Sequence, residues 1–119
     1  MGILSKRKGK TGLLRSELDA LPMEEKAGLP YASKVKQVDL DDGMTKPVMH
    51  GCNHDMHIGC LLGAAELLQR LTQNWSGTII CLFQPNEERL LGACAMIDDG
   101  LFNIGRDGFI FLVGEYSEG

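Results

Sequence analysis

Apolar positions along this chain fall into a few ordered stretches separated by polar ground. Thr11 to Leu18 (TGLLRSEL) reads as a short strand, with Asp19 at its carboxyl end. Residues 22–47 are polar, broken by Pro22, Pro30 and Pro47, and carry DLDDG at Asp39 to Gly43. That composition predicts a long loop with a hairpin near Asp42-Gly43. Loops of this length in compact domains are usually functional or mobile. From His57 to Leu71 the apolar residues Ile58, Leu61, Leu62, Ala65, Leu68 and Leu71 recur at helical spacing. Asp55 is the expected N-cap of that helix. Gly59, Gly63, Ala64 and Ala65 keep one of its faces small, suiting close packing on a sheet. Gly77 to Gln84 (GTIICLFQ) is continuously apolar and rich in β-branched residues, the mark of a buried parallel strand, and Pro85 ends it. Glu87 to Gly100 predicts a second helix closed by Gly100, and Phe109 to Val113 a third strand.

Strand, loop, helix, strand, helix, strand is the order of an α/β fold with a mostly parallel sheet flanked by helices. Open sheets of this kind bind ligands beyond the carboxyl ends of their strands. Asp19 follows the first strand and Glu87-Glu88 the second, while Cys52 to His57 lead into the helix between them. Groups far apart in sequence are thus expected to converge.

With 119 residues the chain has room for one domain. The basic SKRKGK at Ser5 to Lys10 marks residues 1–10 as a solvated tail and 11–119 as the folded part. A net charge of -4 argues against nucleic acid as the main partner. The longest apolar runs fall short of the roughly 18 residues of a membrane span, and GILSKRKGK lacks the apolar core of a secretory signal. The four cysteines are not spaced as a disulfide scaffold, and three sit among apolar neighbours, so a reducing, cytoplasmic setting is expected.

Chemistry concentrates in KPVMHGCNHDMHIGC, Lys46 to Cys60, which holds every histidine of the chain: His50, His54 and His57, with Cys52 and Asp55 among them. Thiolate, imidazole and carboxylate together form a common zinc ligand set. Cys52 and His54 face the same way in an extended segment, and His54 and His57 are neighbours on a helical turn. Three alternatives stand at this level: a metal site, a nucleophilic Cys52 activated by a histidine, and a polar capping loop. QPNEE, Gln84 to Glu88, places two adjacent carboxylates after the buried strand. One could bind metal while the other accepts a proton. The plainer alternative is a helix start, where glutamate is favoured by the dipole.

Taken together, LLRSELDALPMEE, GLPYAS, PVMHGCNHDMHIGCLLGAAELL, GTIICLFQPNEE and GACAMIDDGLF resemble, in order, the amidohydrolase branch of the zinc aminoacylase and carboxypeptidase family. Hippurate hydrolases, indole-acetyl-amino-acid hydrolases and N-acyl-amino-acid deacylases belong to that branch. The resemblance covers roughly residues 11–103. It implies a partial zinc-exopeptidase-like catalytic domain without the lid or dimerisation domain, and two divalent metals per site (zinc, manganese or cobalt). The implied activity is hydrolysis of the amide bond of N-acyl amino acids or short peptides, with metal-activated water and a glutamate base. By motif, Cys52, His54 and Glu88 match metal ligands, Glu87 the general base, and Asp19 a carboxylate near the metals. His57 matches a recurrent histidine of supporting or substrate-contacting role, with Asp55 beside it.

The departures are specific. Asn53 replaces a glycine, Glu17 replaces the first Asp of the family's Asp-Met-Asp-Ala-Leu-Pro, and the glycines after the glutamate pair are missing. Tyr116 stands where a metal-binding histidine is expected, and the family's last ligand histidine and lid lie in sequence this chain does not contain. Two functions follow: an amidohydrolase of N-acyl amino acids completed by another chain, or an inactive truncated remnant that binds metal or associates with a homologue or a copy of itself. A thiol redox protein is a third, for which Cys60 is poorly placed.

Overall fold

A computed structural model describes residues 1–104 and the backbone of the strand Phe109–Leu112. The elements run β1 (Gly2–Lys6), β2 (Thr11–Glu17), β3 (Lys36–Val38), β4 (Thr45–Pro47), α1 (His54–Arg70), β5 (Gly77–Gln84), α2 (Gly92–Asp98), a 3₁₀ turn (Leu101–Ile104) and β6 (Phe109–Leu112). The main sheet has the order β1-β5-β2-β6. β2 pairs parallel with both β5 and β6, and β1 pairs antiparallel with β5. The α/β, mostly parallel architecture expected from the sequence is present. Leu13, Ile80 and Leu82 form its buried core, with Met96 and Leu101 packed against them.

Register decides where the chemistry sits. Thr11 pairs with Thr78 and the ladder ends at Glu17 opposite Gln84. The Leu18 amide then donates to the Gln84 carbonyl at 2.8 Å. Asp19 and the Glu87-Glu88 turn therefore leave the sheet side by side at its carboxyl edge. A bridge between Leu21 and Met49 closes the intervening loop, with Leu21 N–H donating to Met49 O at 2.8 Å, and this sets His50 beside Asp19. The hairpin expected at Asp42-Gly43 is β3–β4, with Gly43 at φ 71°.

Four expectations need correction. The supposed solvated tail contributes β1: Ile3 lies opposite Ile80, and Ser5 Oγ meets Thr78 Oγ1 at 3.1 Å. Without β1 the hydrophobic β5 would be an open sheet edge, so the pairing satisfies its backbone. Second, α1 begins at His54, and its N-cap is Asn53 rather than Asp55, which lies in the first turn. Third, the helix expected from Glu87 begins only at Gly92, because Asn86 (φ 54°) and Leu90 (φ 57°) are left-handed and break the run. Fourth, Cys52, Cys60 and Cys94 are exposed and only Cys81 is buried. Apolar sequence neighbours did not imply burial, because Cys60 lies on the outer side of α1. Gly59 and Gly63 have open space where a Cβ would go, while Ala64 and Ala65 are half-buried.

Gly77 fixes the turn into β5. Its φ of 123° is unfavourable for any side chain, and a Cβ there would fall 2.2 Å from the Lys10 carbonyl. That close approach lets Thr78 N–H reach the same carbonyl at 3.0 Å. Among the described residues, no helix is long and apolar enough to cross a membrane.

Candidate metal centre

The site is built around the Asp19 main chain. His50 Nδ1 and His54 Nδ1 both point at its carbonyl, at 3.1 and 3.0 Å. A carbonyl only accepts, so each Nδ1 carries a proton, and in the neutral ring Nε2 is then the acceptor. His54 is buried, and its Nε2 looks towards Glu87 Oε2 at 3.8 Å and Glu88 Oε1 at 4.0 Å. Three acceptors therefore face one another within 4.8 Å. With His54 neutral the set has no donor, and a metal cation would satisfy all three.

Two further observations fit a cation. Asp19 Oδ1 is buried without a hydrogen-bond partner. It lies 3.1 Å from His54 Nδ1, whose single proton is already given to the Asp19 carbonyl, while Asp19 Oδ2 accepts the Glu88 N–H at 3.0 Å. The exposed Cys52 thiol is held above its ordinary value of 9.0, first by its hydrogen bond with Glu88, then by burial and by the charges of Glu88, Glu87 and Asp19. That is the signature of an anionic pocket, and a bound cation reverses it by stabilising the thiolate.

The structure thus brings together His54, Glu87, Glu88 and Asp19, with Cys52 near Glu88 but outside the groups of facing ligand atoms. Asn53 holds the left-handed conformation (φ 59°, ψ 22°) that turns the chain between Cys52 and His54. Asparagine tolerates it better than any other non-glycine residue. Asp55 stays exposed in the first turn of α1 and lines an open cleft of about 690 Å³, with Asp19, His50, Tyr31, Val35 and Met49. Tyr116 lies outside the described residues.

His57 is drawn away from the cluster. Its Nδ1 meets Glu17 Oε2 at 2.9 Å, and the opposite Glu17 oxygen takes Arg15, which also donates to Gln84 Oε1 at 2.6 Å. Glu17, His54 and His57 form a second group of potential ligand atoms within 4.8 Å. Sequence reasoning missed Glu17 and Arg15 as parts of the site. The period of two along β2 was the available signal, since it puts 15 and 17 on one face. Burial pushes the Glu17 carboxyl up, but the His57 bond, its own backbone amide and Arg15 outweigh it, leaving it below the ordinary 4.5. A carboxyl depressed on folding adds stability above its unfolded value, and that stability is lost as pH falls through the lower folded value. Glu17→Gln is therefore expected to lower stability at neutral pH and to flatten the decline below about pH 4.5. Denaturant midpoints measured across pH 2.5–7 check this; parallel curves for the two proteins refute it.

The Glu87-Glu88 turn depends on Gly92. A Cβ at that residue would fall 1.6 Å from the Pro85 carbonyl oxygen, because Gly92 N–H folds back to Asn86 O at 3.2 Å. Gly92→Ala is expected to cost at least about 2–3 kcal/mol and to displace both glutamates. A lowered Tm with reduced metal retention is the expected result, and wild-type values in both would show that the turn relaxes freely.

Comparison with known proteins is consistent across sequence and structure. The model of peptidase family M20/M25/M40 matches residues 13–118. The N-acetyl-L-cysteine deacetylase of Bacillus subtilis (strain 168) is 41% identical over 116 residues, covering 98% of this chain and 24% of the relative. The hippurate hydrolase of Campylobacter jejuni is 41% identical over 112 residues, covering 93% and 26%. A crystal structure of a Bacillus subtilis dinuclear metal-binding peptidase of the M20 family superposes with a TM-score of 0.72 at 33% identity, covering 85% of this chain and 26% of that one. The chain spans about a quarter of the length of these relatives.

Proposed function

The chain belongs to peptidase family M20/M25/M40, and from that membership we propose that it carries the metal-binding and proton-transfer part of an amidohydrolase acting on N-acyl amino acids or short peptides. The observation that carries this reading is the meeting of a His54 ring nitrogen, Glu87 and Glu88 within the reach of one ion. Cys52, His54 and Glu88 would hold a divalent metal (zinc, manganese or cobalt), two metals being the complement of the dinuclear neighbour. When bound, such ions supply Lewis-acid polarisation of the amide carbonyl and lower the pKa of water.

This chain's residues do the remaining work. The Asp19 carbonyl holds His54 in one tautomer and rotation, and its carboxylate fixes the backbone of Glu88. Glu87 takes the proton of the attacking water and returns it to the leaving nitrogen. His57 is anchored by Glu17, and Asp55 borders the cleft where a small substrate would lie. Four unpaired cysteines suit a cytoplasmic setting, where thiols stay reduced.

A second reading has its own observation. Met56 and Leu67 are exposed on one side of α1, with exposed Leu71 at its C-cap, apolar positions that favour association with a homologue or a second copy over independent catalysis.

Two measurements test these readings. Metal content is measured after dialysis against zinc, manganese or cobalt; a chain that retains none overturns the metal reading. Release of free amino acid from a panel of N-acyl substrates, with the chain alone and with a full-length homologue added, then separates catalysis from mere association.

A further inference from the structure

Arg89 follows the glutamate pair directly and reaches across to the β3–β4 hairpin. Its guanidinium donates to Asp41 Oδ1 at 2.8 Å and to Asp39 Oδ1 at 2.6 Å, residues 48 and 50 positions away. Asp39 is the hub of this contact. Its side chain is only 7% exposed, and it also accepts from Lys46 Nζ at 2.8 Å and from the Asp41 amide at 3.0 Å. Lys46 in turn pairs with Asp42 at 2.6 Å. Among the described residues, the ion pairs that join the hairpin to the rest of the protein are those of Arg89. The hairpin and the turn form facing walls of a cleft of about 490 Å³ that also contains Asp19, Glu88 and Arg89.

The turn is closed on itself by Leu90 N–H to Glu87 O at 2.8 Å and Gly92 N–H to Asn86 O at 3.2 Å, bonds that do not fix it against the hairpin. Two of its residues, Asn86 and Leu90, are in the left-handed region, and Glu88 is tied through one amide to Asp19. A planar guanidinium with two carboxylate partners fixes orientation as well as distance, which a single ammonium does not. We propose that Arg89 is a positioning residue: it latches the β3–β4 hairpin onto the Glu87-Glu88 turn, and so sets the Glu88 carboxylate for metal and keeps the hairpin as the wall of the cleft. The metal half of this statement rests on the function proposed above; the latch does not.

The test uses the complete 119-residue chain. Amide hydrogen exchange is measured by NMR in metal-free wild type, Arg89→Met and Arg89→Lys. Arg89→Met is expected to speed exchange at Glu88 and at Asp39 to Met44 together, while Ile80 and Leu82 in β5 keep their protection. Arg89→Lys is expected to recover part of it, since one ammonium replaces a two-pronged contact. Cobalt titration followed by absorbance is expected to show about tenfold weaker binding in Arg89→Met, with an altered d–d spectrum. A merely structural loss would lower β5 protection as well and leave the spectrum of the bound fraction unchanged. Unchanged exchange at Glu88 overturns the latch, and faster exchange with unchanged cobalt affinity and spectrum overturns the positioning of Glu88. If wild type takes up no cobalt, the metal reading has failed, and the exchange measurement decides the latch by itself.

Discussion

Glu87→Gln is expected to leave metal binding close to wild type and to lower turnover about 10²–10⁴-fold in any assembled, active form of this chain. The substitution keeps the shape and hydrogen-bonding reach of the side chain and removes only its ability to accept a proton. Glu88→Gln is expected to do the reverse, weakening metal retention first. The two side chains are adjacent, yet their surroundings differ. Glu88 is the more enclosed, its amide is fixed by Asp19 at 3.0 Å, and its charge acts on the Cys52 thiol. Glu87 is more exposed, at 34% against 25%, and so is the more accessible to water. A rigid, shielded carboxylate suits a ligand, and a solvent-accessible one suits proton exchange. Metal content after dialysis and amino-acid release, measured on both variants, separate the roles. If Glu87→Gln loses metal while Glu88→Gln keeps it, the assignment is inverted.

Much of this arrangement could be read from the sequence because it depends on local patterns. The continuous run Gly77–Gln84 is a strand between β1 and β2, and the helical stripe after His57 is α1. Once β2 and β5 were parallel neighbours, the rule that sites lie beyond carboxyl edges put Asp19 beside Glu88. The polar loop with its Asp-Gly became the hairpin. What stayed hidden depends on partners distant in sequence. Nothing local distinguishes a basic tail from an edge strand; β1 forms because β5 offers it an unpaired edge. The helical pattern from Glu87 onward gave no sign that Asn86 and Leu90 would turn left-handed, which withholds the helix until Gly92 and leaves the glutamates on a turn. Glu17 with His57, and Arg89 with Asp39, are pairs 40 and 50 residues apart whose members look like ordinary surface charges until the fold joins them.

The largest change expected from one residue is that of His54→Ala. Its ring is the one side chain shared by every part of the centre, at 5% exposure. Nδ1 satisfies the Asp19 carbonyl at 3.0 Å, and Nε2 faces both glutamates. Removing it deletes the proposed ligand and leaves three acidic groups, Asp19, Glu87 and Glu88, without the imidazole between them. Metal affinity is therefore expected to fall by more than about 100-fold, since loss of a direct ligand should exceed the 10–100-fold typical of supporting partners. The metal-free protein should also lose about 1–3 kcal/mol, since a buried side chain and its bond to the Asp19 carbonyl are removed while His50 still donates to that carbonyl. His50→Ala is the control. His50 donates to the same carbonyl at 3.1 Å but is outside the group of facing acceptors, so its loss should cost stability while sparing most of the metal. Denaturant unfolding without metal and metal content after dialysis are measured on both variants and on a Cys52→Ala, His54→Ala double mutant. If His54→Ala retains as much metal as wild type, the ion is held elsewhere and the centre assigned to these residues is wrong. If His50→Ala loses as much metal as His54→Ala, the carbonyl contact and not the free Nε2 is what matters, and His54 acts as a support for a site formed by the carboxylates and Cys52.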